Sequence, residues 1–301
     1  MEALVGGSIV GAIECAVCQP FDMIKTRHQL HRGANPSVGA SLMALYREGG
    51  TGRFYRGVLP EFAGMVPKSA AMYATYDWAR QRLSMHTSLH HTTICFMAGA
   101  LSGPAEAVVV QPFQVVKVRM QTKEYVGRYS SSLDCATKMV RTEGLVAFAS
   151  AGAMATVLRN TIWNSVYFGS MAKVRAVRAE SGGGASSLAA KLADLACGFG
   201  CGVLATAFNA PFDVAKSRQQ SQLSPASRLA GGATGAAGAA EAAPYSGGVL
   251  ATLVRIAREE GMGACWAGFQ PKAIRMGLAG LVGLPAFDLT RWLLAGARQV
   301  E

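Results

Sequence analysis

The sequence predicts an all-α membrane protein whose six transmembrane helices fall into three tandem repeats. Three observations predict it. The line Pro-Phe-[Asp/Gln]-x-x-Lys-x-Arg occurs at Pro20 to Arg27, Pro112 to Arg119 and Pro211 to Arg218, with prolines 92 and 99 residues apart (20 to 112, 112 to 211). The composition is 50% hydrophobic and only 16% charged, which leaves room for apolar segments long enough to cross a bilayer. Mean hydropathy is +0.23, intermediate as expected for membrane helices that keep one polar face on an aqueous path. A soluble Ala/Gly-rich helical protein fits the composition as well; the repeat decides against it.

The repeats are read as residues 1–86, 87–181 and 182–301, each an apolar Gly-rich helix, the Pro line, a polar loop and a second apolar helix. The first helix opens at Leu4 and carries Gly7 and Gly11. Gly99 and Gly103 recur at the matching place in the second repeat, and Gly198 and Gly202 in the third. Such small-xxx-small spacing lets helices approach closely in lipid. Each proline is placed inside a longer helix, which it kinks by removing one backbone bond. The loops carry a short amphipathic helix and glycine stops: Glu48-Gly49 before Tyr55-Arg56-Gly57, Glu143-Gly144 before Ala151-Gly152, Glu260-Gly261 before Trp266-Ala267-Gly268. In the third loop, residues 224–243 are an Ala/Gly-rich low-complexity tract, read as an insertion without a role in chemistry. The even-numbered helices follow at about Leu59 to Leu83, Ala153 to Val177 and Pro271 to Leu294, so the six spans run about 20 to 28 residues. Mid-span Arg, Lys and Asp cost roughly 2.5–3.5 kcal/mol each against lipid, so they are expected to face an interior cavity.

Net charge is +11. Lys and Arg are spread through all three repeats without a basic tail or nucleic-acid motif, so no nucleic-acid partner is expected; anionic substrates and anionic lipid fit better. Seven cysteines, an odd number lying mostly in apolar segments, include Cys15-x-x-Cys18 but no second ligand pair. Neither zinc nor a disulfide framework is expected. No cofactor is expected. No presequence or signal peptide is read at Met1, so any address is expected within the chain.

The triple Pro line, the acid-glycine and aromatic-basic-glycine elements and the three-part layout together resemble the mitochondrial carrier family over essentially the whole length. Pro211-Phe-Asp-Val-Ala-Lys-Ser-Arg218, Glu106-Ala-Val-Val-Val-Gln-Pro-Phe113 and Asn164-Ser-Val-Tyr-Phe-Gly169 are similar to its oxodicarboxylate and tricarboxylate carriers. The resemblance implies six helices about a pseudo-threefold axis, a monomer in the mitochondrial inner membrane, cardiolipin among its lipids and alternating access between two gates. On the matrix side, Asp22 is expected to pair with Lys117 and Asp213 with Lys25, while Gln114 stands where Lys216 should meet an acid. That gate is therefore expected to be weaker by one ion pair, with the Gln carbonyl accepting a hydrogen bond instead. Gln29, Gln121 and Gln220, each four residues after the motif lysine, resemble the family's glutamine brace and are expected to cap the same network. Tyr76-Asp77-x-x-Arg80 and Phe287-Asp288-x-x-Arg291 resemble the cytoplasmic gate; Phe168-Gly169-Ser170-Met171-Ala172 carries neither charge. One inter-repeat pair is expected there.

The resemblance places the substrate site on the even helices at Gly64, Lys68, Arg159, Asn160 and Arg275. Two guanidinium groups can each grip a carboxylate with paired bonds, Lys68 adds a point charge, and Gly64 leaves room. The adenine-nucleotide signature is absent, nothing aromatic is read at the contact positions although Trp163 lies one turn from Arg159, and no acidic contact is read for an amino group. A di- or tricarboxylate antiporter is the expectation, with 2-oxodicarboxylates and citrate or cis-aconitate both open because Arg159-Asn160 fits neither type's usual pair. An enzyme is not expected: no nucleophile–base set or metal cluster is read. The alternatives are a carrier for another anionic metabolite and a carrier homologue with a structural role and no transport; intact Arg159 and Arg275 argue against the latter.

Overall fold

Each Pro line lies inside a long helix. In the computed structural model, α1 (Glu2–Leu30) runs through Pro20, α4 (His91–Gln121) through Pro104 and Pro112, and α7 (Leu188–Ser221) through Pro211. The structure describes residues 2–31, 36–122, 129–145, 152–180, 188–221 and 248–279, with side-chain packing for all of these except 2–12, 143, 180 and 188–191. These three helices span 29, 31 and 34 residues, longer than the expected spans, because the charged turns after each proline stay helical. The alternate helices are α3 (Val58–His86), α6 (Ala153–Glu180) and α9 (269–279). The rest of the sixth span, the 224–243 tract, Asp288 and Arg291, and the packing of Gly7 and Gly11 lie outside the described residues.

Between each odd and even helix lies a loop helix: α2 (Val38–Phe54), α5 (Ser132–Glu143) and α8 (Val249–Glu259), the last followed by a 3-10 turn (Met262–Trp266). Ser37 caps α2 by accepting from the Ala40 amide, and Ser131 caps α5 by accepting from Asp134. The hydrogen bond from Lys138 holds the Asp134 carboxyl below its ordinary range. Each loop helix is anchored by the two residues between the motif acid (or Gln) and lysine. Met23 and Ile24 pack on Leu45, Val115 and Val116 on Cys135 and Met139, and Val214 on Ile256 and Cys265. A helix turn thus sorts the motif: positions i and i+3 turn inward and carry polar groups, while i+1 and i+2 turn to the loop helix and are apolar.

Packing runs in order, α3 on α4, α4 on α6 and α6 on α7, with α1 touching both α3 and α7. The α4–α6 approach is the tightest. A Cβ on Gly99 would fall 2.6 Å from the Asn164 carbonyl oxygen, and one on Gly103 would run into the Thr161 backbone. The third-repeat pair acts differently: Gly198 and Gly202 face the Met171 and Met276 side chains rather than backbone.

Gly57, Gly152 and Gly268 precede the even helices with φ of 83°, 67° and 80°, a region costly for residues with a Cβ. Each also abuts the next motif turn in cyclic order: Gly57 meets Lys117 and Gln121, Gly152 meets Lys216 and Gln220, Gly268 meets Lys25 and Gln29. Among the described residues, only α4 and the 192–221 part of α7 are long and apolar enough throughout to cross a membrane by composition alone. The others carry charges, and those charges build the centre of the bundle.

Candidate functional site

Counting from Gly57, Gly152 and Gly268 puts the even helices in register. The fourth residue is Glu61, Thr156 or Lys272; the seventh is Gly64, Arg159 or Arg275; the eleventh is Lys68, Trp163 or Ala279. Offsets of four, seven and eleven share one helix face, so each set forms a level of the interior wall.

At the lowest level the motif lines meet. Lys117 lies 3.1 Å from Asp22, Lys25 lies 3.3 Å from Asp213, and Lys216 donates to the Gln114 carbonyl. Two charges from the even helices join them. Glu61 sits 3.0 Å from Lys117, and Lys272 donates to Asp213 at 2.6 Å. Asn209, with its amide oriented to satisfy both partners, accepts from Lys272 at 3.2 Å and donates to the Arg159 carbonyl at 3.1 Å.

One level up, the two arginines reach down to the same acids. Arg275 Nε lies 2.8 Å from Asp22, a charge contact without hydrogen-bond alignment, and Arg159 lies 3.6 Å from Asp213 while donating to Asn160. Asp22 and Asp213 are therefore shared between the motif lysines below and the arginines above. On the opposite wall Lys68 lies 3.5 Å from Glu106, a buried carboxylate that also accepts from Asn164 at 2.9 Å.

These groups open into a cavity of about 270 Å³ lined by Lys68, Arg159, Asn160, Lys272, Arg275 and Glu106, with Tyr73, Trp163, Tyr167 and Phe168 around it. A second lobe of about 280 Å³ shares Lys68 and Arg275 and is bounded by Glu14, Glu61, Gly64 and Gln114. Cations in excess of acids, facing a space of this size, can hold a multiply charged anion through charge-assisted bonds. No group of three metal-ligating side chains occurs among the described residues, and the seven cysteines are free.

The sequence model of the family described as "Mitochondrial carrier protein" matches residues 1–87, 89–181 and 189–297. The chain belongs to the mitochondrial carrier family. It is 33% identical over 295 residues to a probable mitochondrial 2-oxodicarboxylate carrier of Dictyostelium discoideum, covering 97% of this chain and 91% of the relative. It is 32% identical over 305 residues to the mitochondrial 2-oxodicarboxylate carrier of Mus musculus (97% and 94%), and 30% identical over 292 residues to mitochondrial citrate transporter D of Aspergillus niger (94% and 90%). The relatives' names cover di- and tricarboxylate carriers, and membership sets the chain among transporters rather than enzymes.

Several details of this carrier depart from expectation. The Lys216–Gln114 hydrogen bond stands in place of an ion pair, and the motif ring gains two charges that were not read from the sequence: Glu61 on Lys117 and Lys272 on Asp213. The glutamines bond to hydroxyls and amides of the adjoining repeat rather than to the ion pairs. Gln121 accepts from Thr26 at 2.7 Å, Gln29 accepts from Ser217 at 2.6 Å, and Gln220 donates to Gln111 and Thr156 at 3.4 Å. The third bond differs because Val118 stands where Thr26 and Ser217 carry hydroxyls. Gly64 is buried with Phe113 where its Cβ would be, at 3.1 Å, so its smallness serves α3–α4 packing as well as space. Asp77 and Arg80 face each other at 3.9 Å on the same helix; their expected partners Asp288 and Arg291 lie outside the described residues. Aromatic and acidic residues line the cavity around the expected contact positions, which themselves carry neither. Glu61, Lys272 and Glu106 are single charges in apolar runs; Glu61 and Lys272 could have been found by counting from the loop glycines, while Glu106, on an odd helix, had no such signal.

Proposed function

We propose that this carrier is an antiporter of di- or tricarboxylates in the mitochondrial inner membrane, built of six spanning helices about a pseudo-threefold axis and working by alternating access. The observation that carries the reading is the pairing of Arg275 with Asp22 and Arg159 with Asp213 at the floor of the cavity. A substrate carboxylate that takes both arginines releases the two acids from them. Binding thus cuts the ties between the cavity floor and the ring below it, and so couples substrate occupancy to the matrix gate. A substrate can shift this equilibrium only through its differential affinity for the two states, and competition for the same guanidinium groups supplies that difference. Gln29, Gln121 and Gln220 brace the ring; Asp77, Arg80, Asp288 and Arg291 belong to the cytoplasmic side.

The test is exchange in liposomes loaded with malate, measuring uptake of labelled 2-oxoglutarate, 2-oxoadipate, citrate, cis-aconitate and ADP. Exchange of at least one carboxylate is expected; none at all refutes the reading, and uptake of ADP alone redirects it to nucleotides. Arg159→Ala and Arg275→Ala are expected to abolish most exchange while the protein still inserts. Unchanged rates in both refute the site.

A further inference from the structure

The second and third levels of the wall differ in a way that bears on which carboxylates fit. At the seventh residue from the loop glycine stand Gly64, Arg159 and Arg275; at the eleventh stand Lys68, Trp163 and Ala279. Four residues of helix rise about 6 Å, so cations occur at two heights: the arginine pair below and Lys68 above, on a different helix. Trp163 stands one turn above Arg159 on α6. Its ring stacks on Tyr167 with centroids 4.7 Å apart and planes at 12°, and its N–H points to Thr206 of α7 at 3.4 Å. The one polar atom of the indole is thus engaged away from the arginines, and carbon faces the cavity. Tyr167 continues the surface through Phe168 to Tyr73.

We propose that Trp163 is a specificity-determining residue of this site: it forms an apolar wall that receives the carbon chain of a linear dicarboxylate and rejects a third carboxylate. This rests on the carboxylate-exchange reading above. One carboxylate lies between Arg159 and Arg275 and the other reaches Lys68 and Ser69 a turn higher, with the methylenes between them against the indole. A third carboxylate branching from the middle of the chain, as in citrate, meets the carbon face of the Trp163 ring, which donates no hydrogen bond. Of the other donors, Lys272 is held by Asp213 and Asn209, and Asn164 by Ser102 and Glu106, while the Asn160 amide nitrogen, adjacent to Arg159, is left for the lower carboxylate. Glu106 beside Lys68 adds a negative charge at the upper level. A buried charge without a partner is costly, whereas each methylene laid on an apolar surface is favourable.

The experiment measures inhibition of 2-oxoglutarate/malate exchange by glutarate, adipate and citrate in liposomes carrying the wild type, Trp163→Gln and Trp163→Phe. In the wild type citrate is expected to inhibit roughly tenfold to a hundredfold more weakly than adipate, the range for an unsatisfied buried polar group. Trp163→Gln places an amide donor in the wall and narrows that ratio about tenfold; Trp163→Phe keeps it, since the ring and not the N–H does the rejecting. Citrate matching adipate in the wild type overturns the proposal without need of any variant, as does a ratio unchanged in Trp163→Gln. Exchange that is present but does not discriminate sinks this inference alone; absence of all carboxylate exchange sinks the exchange reading with it.

Discussion

Replacing Asp22 by Asn should separate binding from turnover. Asp22 is buried beneath Arg275, 2.8 Å from its Nε, and 3.1 Å from Lys117. At an effective dielectric constant of about 20, charges at that separation attract by about 6 kcal/mol before desolvation is counted. Measured coupling between close, partly desolvated charge pairs starts near 1.5 kcal/mol, and the lower figure suits Arg275, whose side chain is 24% exposed. A substrate carboxylate has to displace Asp22 from Arg275, so removing the negative charge should tighten dicarboxylate binding by about tenfold, equivalent to about 1.4 kcal/mol. Exchange should nevertheless slow, because Lys117 loses one of its two acids and the ring no longer closes as firmly. Calorimetric titration of the detergent-solubilised protein with 2-oxoglutarate gives the affinity, and liposome exchange gives the rate. The gain should vanish in Asp22→Asn/Arg275→Ala, which removes the group the two anions compete for. An affinity unchanged or weaker in Asp22→Asn refutes the competition.

Gln114→Asp gives Lys216 a carboxylate in place of an amide oxygen; the closed ring should gain stability and malate exchange should slow, and identical kinetics would remove position 114 from the network. Glu61→Gln leaves Lys117 with Asp22 alone and is expected to lower the melting temperature of the solubilised carrier, since breaking one partner of a buried pair costs about 3–5 kcal/mol when no second acid remains and less here; no change would make Glu61 a bystander. Gly103→Ala drives a methyl into the Thr161 backbone and should cost about 1–3 kcal/mol by overpacking, read as a lowered melting temperature, while Gly198→Ala, with only the Met171 tip at 3.8 Å, should be nearly neutral. Asp77→Asn should leave the melting temperature unchanged, because an exposed i,i+3 pair contributes under about 1 kcal/mol.

The helices and the motif ring were legible because the chain states them three times. A proline followed by an acid and a lysine at fixed spacing fixes helix, face and neighbour together, and three copies remove the ambiguity of one. What repetition could not announce is what differs between repeats. Glu61 and Lys272 occupy equivalent places with opposite charge and Thr156 with none, so no pattern flags them, yet two of the three complete the ring. Trp163 was visible one turn from Arg159, but its role as wall depends on Tyr167 and on Thr206 from another helix, contacts that spacing does not report. Val118 was equally readable as a missing hydroxyl, though its meaning required knowing that Thr26 and Ser217 serve the glutamines.

The glycine turns impose an order on how the chain is made. Gly57 needs the helix ending near residue 121 and Gly152 the one ending near 221, but Gly268 docks on Lys25 at the other end of the sequence. The first repeat thus emerges from synthesis with half of its interface waiting, and remains so until nearly the whole polypeptide is present. Unlike an open solenoid, whose units stack as they appear, a closed ring gains its last contacts all at once. A nascent chain stalled before residue 268 would hold buried charges with no partners, a natural target for quality control in the membrane.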